Sequence, residues 1–536
     1  MVRFMIDNRN VEVPEGGTVL DGARKLGIFI PTLCFLEGRA ALTSCMVCLV
    51  RVKGEERMVP ACGTVAEEGM QVESEIPAVH AARRTALELL LSEHGGDCLG
   101  PCHTLCPAWM DIPRMILQVV AGSLDEAIQT VKADMALPAV VERICPAPCE
   151  IGCRRAVHDA AVSIRNLVKH VADADLASEV PFRPERKPDR KERVAIVGAG
   201  PAGLSAAYYL RLAGFGCTIF DDHELPGGML RYGVPEDALP RDVLDKEISL
   251  IAEMSVEFRL GSRIGKDLSL AELRKDFDAV LLATGAVIPD QMKELLSEFE
   301  AQETTLALKS TKDSVTANRW TFETCIPGIF AAGDVLKPGR LAARSMAQGK
   351  RAALSICRFL SGEKVEEIRR PFTTRLGKLK PGEMEQFLAG VSAENRIEPA
   401  SSGPPGFTRE DAVAEGKRCL RCDCAGLDNC TLREYSVAYG ARAGRYGGER
   451  LTCEIRCNHP EIIFEPGKCI ACGICVQITG EASEALGLTF VGRGFDVRVA
   501  VPFDGSLEDG FGRVAAECIA ACPTGALVRN YRNRSM

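Results

Sequence analysis

Aromatic residues are scarce in this 536-residue sequence, at 5%, and positive charge is not in excess: 65 basic residues face 73 acidic ones, a formal net charge of -8. A surface that tracks phosphates and stacks bases needs clustered Lys and Arg with aromatic rings, so no nucleic-acid partner is expected. Long apolar runs are lacking as well. The longest, near 194–215, is broken by glycines and Pro201, and the start, MVRFMIDNRNVEV, alternates like a strand where a signal peptide would be uniformly apolar. The expectation is a soluble, cytoplasmic chain without membrane insertion. No repeat of solenoid period is present. No Ser-His-Asp or catalytic Cys-His arrangement stands out, so the chemistry is expected to belong to cofactors.

What is abundant is cysteine. Of 24 cysteines, Cys217, Cys325 and Cys357 stand alone in apolar contexts and read as small buried hydrophobes. The rest fall into groups separated by chain with almost none. An intracellular chain of this length, 46% apolar and 26% charged, can bury several cores in three or more domains and does not need disulfides, so grouped cysteines point to metal.

Residues 1–76 read as short strands (Val2–Ile6, Val11–Val13, Leu49–Val52, Met70–Val72) around a helix from Thr18 to Leu26, a small α+β pattern. An amphipathic helix follows over 79–92, with helical patterning at 112–135 and 159–176. The stretch PFRPERKPDRKER reads as a linker. Residues 193–361 carry strand, glycine turn and helix patterning of the α/β kind, and a second Pro- and Gly-bearing stretch, about 363–408, leads into a cysteine-rich C-terminal region.

Val194 to Val197 form an apolar strand running into Gly198-Ala-Gly200-Pro201-Ala202-Gly203 and then a helix, Leu204–Leu212. The glycines permit a tight turn and close approach of backbone to a pyrophosphate, which lies at the positive helix N-terminus. A second strand, Cys217–Phe220, ends at Asp221, placed to accept hydrogen bonds from a ribose. Strand, turn, helix, strand and acid in this order predict dinucleotide binding.

Downstream, Pro226-Gly-Gly228-Met229-Leu230-Arg-Tyr-Gly233-Val-Pro235, Leu282-Ala-Thr284-Gly285 and Gly328-Ile-Phe-Ala-Ala-Gly333-Asp334 resemble the FAD domain of the glutamate synthase small-subunit family, relatives of which include the N-terminal half of dihydropyrimidine dehydrogenase. The resemblance implies that Asp334 holds the ribityl chain and that a helix starting near Leu341 points its N-terminus at the flavin pyrimidine edge. Members of that family carry a second, NADPH-binding Rossmann domain between the last two segments. Here about 40 residues separate Gly285 from Gly328, with no second G-x-G-x-x-G/A, while a βαβ unit alone takes ~30 residues. The nicotinamide domain is expected to be missing.

Cys34, Cys45, Cys48 and Cys62 surround a close C-x2-C pair, a set able to hold two irons, with structural zinc as the alternative. Their spacing resembles the [2Fe-2S] domain of the large iron–sulfur subunit of complex I and of iron-only hydrogenases, although the usual glycine and arginine around the pair are absent. His94, Cys98, Cys102 and Cys106 follow, then Cys145, Cys149 and Cys153, among prolines and glycines that break any continuous helix. This resembles the complex I subunit and the double [4Fe-4S] domain of the glutamate synthase family. The resemblance implies one cluster on His94, Cys98, Cys102 and Cys153 and another on Cys106, Cys145 and Cys149. Its eighth ligand, a Glu or Gln in relatives, is replaced by Val168 or Lys169, leaving His170 and His158 as candidates.

Cys469, Cys472 and Cys475 with Cys522-Pro give the bacterial ferredoxin pattern for one cubane; Thr479 stands where a two-cluster ferredoxin has its next cysteine, and Cys518 is a spare. Cys419, Cys422, Cys424 and Cys430 suit either a further [4Fe-4S] cluster or zinc, and Cys453 and Cys457, beside His459, are possible additional ligands.

The expected fold class is multidomain α/β plus α+β. A β-grasp [2Fe-2S] domain spans 1–78, a helical double-cluster domain 79–185, a Rossmann-like FAD domain 190–362, a linker 363–410 and a ferredoxin-like C-terminal domain 411–536. FAD, one [2Fe-2S] and three or four [4Fe-4S] clusters imply an electron-transfer subunit of a larger, anaerobic redox complex, with bifurcation as a variant. The chain resembles flavin-containing subunits that accompany formate dehydrogenases, hydrogenases or tungsten-dependent aldehyde oxidoreductases; a ferredoxin is the other expected partner. The competing readings are a stand-alone NAD(P)H:acceptor oxidoreductase and a scaffold with structural clusters.

Overall fold

The computed structural model of the protein describes residues 1–286, 310–311, 314–339, 341–399 and 406–530. The chain forms two compact units: Met1–Gly100 with Pro371–Val391 and Leu420–Met536, and Pro101–Arg370 with Ser392–Cys419.

In the first unit, five strands form one sheet in the order Arg9–Val13, Val2–Ile6, Gln71–Glu73, Leu49–Val52, Met58–Pro60. Alternation puts Phe4, Ile6, Val11, Val13, Val50 and Val52 on the buried face, under the helix Val19–Lys25. That helix begins at a capping box in which Thr18 and Asp21 satisfy each other's backbone N–H groups. The strand Met58–Pro60 escapes the sequence pattern because it is three residues long and ends in proline. It lies at the sheet edge, where a missing N–H is tolerated. The helix Pro77–Ser92 buries Arg83, whose guanidinium donates to the Leu49 carbonyl and the Tyr439 hydroxyl, both at 3.0 Å. The C-terminal part pairs Ile462–Phe464 antiparallel with Leu527–Arg529 beside the helices Ile474–Glu481 and Ala515–Ala521.

The second unit opens with short helices. The helical pattern over 112–135 is two helices, Ile112–Val120 and Leu124–Asp134, because Gly122 turns the chain at φ +75°. A parallel sheet follows in the order Ile329–Ala331, Ala279–Leu282, Arg193–Val197, Gly216–Phe220, Val256–Arg259. Apolar residues cover both faces: Val194, Ile196, Ile219 and Leu281 enter one core, Ala195, Val197, Phe220 and Leu282 the other. Helices Pro201–Leu212 and Ala342–Leu360 pack together on one face, with the Ser205 hydroxyl donating to the Met346 carbonyl at 2.8 Å.

Two stretches that read as linkers are structured. Residues 181–192 have no regular element but are pinned, with Lys187 and Arg190 N–H groups bonded to the Leu212 and Gly214 carbonyls at 2.9 and 2.8 Å. Residues 371–391 carry the helix Glu383–Leu388, and Arg409–Gly416 forms another. Of the lone cysteines, Cys217 is buried, while Cys325 and Cys357 are half-buried against apolar cores. Among the described residues no helix is long and apolar enough to cross a membrane.

Candidate functional site

Four segments distant in sequence converge where the parallel strands end. Strand Arg193–Val197 leads into Gly198, and helix Pro201–Leu212 starts after Gly200 with proline in its first turn. A side-chain carbon on Gly203 would overlap the Gly198 carbonyl oxygen, and one on Gly198 the Ala283 carbonyl oxygen, so both positions require glycine. Ala283 N–H donates to the Val197 carbonyl at 2.8 Å, which sets Thr284 and Gly285 beside the turn. Gly227 N–H donates to the Ala199 carbonyl at 2.9 Å and brings up Gly228, Met229, Leu230 and Gly233; Leu230 is buried and Met229 exposed.

Ala332 N–H, bonded to the Leu282 carbonyl at 2.9 Å, delivers Gly333 and Asp334 to the same edge. The Asp334 carboxylate accepts from the Ser345 hydroxyl at 3.0 Å and from Gly339 N–H at 3.2 Å. Asp221 ends its strand as expected, and its carboxylate braces the glycine turn by accepting Ala199 N–H at 2.6 Å and His223 N–H at 2.9 Å. The start of helix Pro201–Leu212, where first-turn N–H groups have no intrahelical acceptor, and the close glycine backbone suit a pyrophosphate.

Cys34, Cys45, Cys48 and Cys62 are all buried and in mutual contact. Cys48 and Cys62 sulfurs lie 3.4 Å apart, and Cys45 N–H reaches the Cys34 sulfur at 3.5 Å. The hydrogen bonds shared with Cys34 push the Cys45 and Cys62 thiols up and hold Cys34 itself down. Sulfurs this close cannot all ionise without a cation between them, so the donor set fits a metal centre.

In the second unit, Cys106, Cys145 and Cys149 are buried in one core. Burial pushes Cys106 up to about 11 and Cys145 up to about 12, with Cys149 above both, and the Glu142 carboxyl adds to each. Glu142, on the helix Pro138–Ile144, is a buried acid that the sequence patterns did not single out. Burial raises it to about 8, and it has no hydrogen bond among the described residues. Val168 and Lys169 are buried on helix Ile164–Leu176, with Lys169 paired to Asp173 at 2.7 Å. His170 Nδ1 is engaged by the Phe407 carbonyl at 3.0 Å, and His158 is exposed. Cys102, Cys153 and Cys419 are half-buried against this same core.

Two thiol-lined cavities lie in the first unit. One is lined by Cys469, Cys472, Cys475 and Cys522 with Phe464, Ile470 and Leu527. Burial pushes Cys469 up to about 11 and Cys472 up to about 12. Cys518 instead packs wholly inside the hydrophobic core. The other is lined by His94, Cys98, Cys424 and Cys430. Spacing placed these four in two different sets, since a one-dimensional pattern does not register loops that meet only in the fold. Cys422 and Cys453 join a small apolar core with Leu376 and Phe387. Both His459 nitrogens are occupied, by the Phe511 carbonyl and by Glu461 and Ile462 N–H groups.

Comparison with known proteins matches three parts of the chain. Residues 1–77 match a 2Fe-2S iron–sulfur cluster binding domain, 92–180 the 4Fe-4S cluster domain II of dihydropyrimidine dehydrogenase, and 196–257 an NAD(P)-binding Rossmann-like domain. NADPH-Fe(3+) oxidoreductase subunit beta of Geobacter sulfurreducens is 43% identical over 190 residues, covering 35% of this chain and 28% of the relative. NADP(+)-dependent formate dehydrogenase subunit beta of Moorella thermoacetica is 38% identical over 206 residues, covering 34% and 29%. Glutamate synthase [NADPH] small chain of Bacillus subtilis is 35% identical over 224 residues, covering 40% and 43%. The chain spans less than half the length of each of these relatives. The matched stretches are those whose motifs resemble the glutamate synthase small-subunit family and the complex I iron–sulfur subunit.

Proposed function

We propose that the protein is an FAD- and iron–sulfur-containing electron-transfer subunit of a multi-subunit oxidoreductase. The observation that carries this reading is the convergence of the Gly198, Gly228, Thr284 and Gly333 segments in a chain that also holds several buried thiol sets. Bound FAD would exchange two electrons together or singly, whereas each cluster carries one.

The chain's own residues bind and orient. The turn Gly198–Gly203 and the helix behind it take the pyrophosphate, and Asp334, already aligned by Ser345, takes the ribityl chain. The start of helix Ala342–Leu360 supplies partial positive charge to the ring. Cys34, Cys45, Cys48 and Cys62 hold a [2Fe-2S] cluster on a β-grasp sheet, Cys469, Cys472, Cys475 and Cys522 a cubane in a ferredoxin-like fold, and Cys106, Cys145 and Cys149 another beside Glu142. The short span from Gly285 to Gly328, of which 287–309 and 312–313 lie outside the described residues, leaves no length for a nicotinamide domain. On this reading the flavin would exchange electrons with the clusters and with a partner: a formate dehydrogenase-, hydrogenase- or aldehyde oxidoreductase-type subunit, or a ferredoxin.

Anaerobic mixing of the isolated, flavin-loaded chain with NADH or NADPH tests this. Slow or absent flavin bleaching is expected; rapid bleaching would instead establish a stand-alone NAD(P)H:acceptor oxidoreductase. Metal and flavin analysis of the same sample should give FAD with roughly 14–18 irons, and zinc at Cys419–Cys430 would lower the count toward the smaller figure.

A further inference from the structure

We propose that His94, Cys98, Cys424 and Cys430 are the four ligands of a single [4Fe-4S] cluster, one imidazole and three thiolates drawn from opposite ends of the chain. The proposal rests on the electron-relay reading only for what this cluster does, not for where it sits.

The four groups line one cavity whose remaining walls, Leu91, Phe372, Leu427 and Leu432 among them, are largely apolar. His94 Nδ1 is sealed from solvent with no hydrogen-bond partner among the described residues. A buried ring nitrogen without a partner is costly unless it donates, accepts or ligates. Three soft sulfurs and an imidazole around an apolar void suit an iron–sulfur core.

The surroundings hold the donors in place. Cys424 N–H donates to the Cys98 carbonyl at 3.0 Å, tying the two ligand loops directly together. Thr374 N–H points at the Cys98 sulfur at 3.5 Å, and its hydroxyl oxygen lies 3.2 Å from that sulfur. Such contacts orient ligand sulfurs and tune cluster potential. Gly525 has no side chain for a steric reason, since a carbon there would overlap the Cys424 sulfur. A single zinc ion is a poorer fit. Zinc draws its sulfurs to about 2.3 Å from the metal and so into near contact with one another. The sulfurs of Cys98, Cys424 and Cys430 share no hydrogen bond among the described residues and surround a cavity instead.

The test quantifies iron in anaerobically purified, full-length Cys98→Ala, Cys424→Ala and the double variant. If both cysteines serve one cluster, each single variant loses about four irons and the double variant loses the same four. A double variant missing about eight irons, or singles that lose zinc and not iron, would overturn the assignment. His94→Cys covers the case in which those variants do not fold: it should keep the iron count, and the nitrogen hyperfine coupling of bound imidazole in pulsed EPR of the reduced wild type should vanish. Wild-type protein without that coupling would also overturn it. These readouts need neither nicotinamide nor a partner, so their failure is distinct from failure of the relay reading.

Discussion

A methyl group at Gly203 would collide with the Gly198 carbonyl oxygen, and the collision falls on the backbone that is to meet the pyrophosphate. Overpacking of this kind costs about 1–3 kcal/mol. At 1.4 kcal/mol per tenfold, Gly203→Ala should weaken flavin retention by about tenfold or more, read as the flavin-to-protein ratio after purification, with iron content unchanged. Glu383 makes a second prediction. Burial disfavours its charge, but Arg450 at 2.6 Å and the N–H groups of Cys453 and Lys380 at 2.7 Å outweigh burial and hold its carboxyl at about 2, below the ordinary 4.5. A lowered carboxyl pKa stabilises the fold above the unfolded value, and that stability is lost as pH falls from 4.5 towards 2. Glu383→Gln should therefore cost about 2 kcal/mol at neutral pH, and the gap to wild type should narrow below pH 4.5; urea denaturation at both pH values checks the sign. The glycines were legible in the sequence because their spacing is fixed by a turn. Glu383 and Glu142 were not, since a buried acid and a solvated one look alike until the fold supplies neighbours.

At the scale of elements, the helix Ala515–Ala521 separates two cysteines by position alone. Cys518 lies inside the helix and faces the hydrophobic core, whereas Cys522 caps its end and lines the cavity. Cys518→Ala should keep all iron and lose about 1 kcal/mol of stability, while Cys522→Ala should lose about four irons; metal analysis and thermal denaturation separate them. The sequence pattern found the long and periodic elements: the N-terminal strands, helix Pro77–Ser92, the parallel strands and the helix after Gly200. It joined two helices across Gly122 and passed over Met58–Pro60, because one turn residue and a three-residue edge strand leave no periodic signal. The thiols of Cys469, Cys472, Cys475 and Cys522, which follow one spacing, line one cavity as that spacing anticipates. His94 and Cys98 meet Cys424 and Cys430 only through tertiary packing, which spacing does not register.

At the scale of the whole molecule, the chain passes between its two compact units four times, so residues 371–391 and 392–419, adjacent in sequence, belong to different units. The Pro- and Gly-bearing composition of 363–408 hides those crossings, which is why the region read as a linker. The three matched domains occupy the first half of the chain, and the relatives align over comparable lengths. On the proposed reading, one flavin and several clusters exchange electrons within this polypeptide. The most direct test of that exchange is an anaerobic reductive titration of the cofactor-loaded chain, followed at once by flavin absorption and by EPR. The expected uptake is two electrons per flavin plus about one per cluster, with cluster signals and flavin bleaching developing together. Uptake that stops at two electrons, with the flavin bleached and the clusters silent, would contradict it.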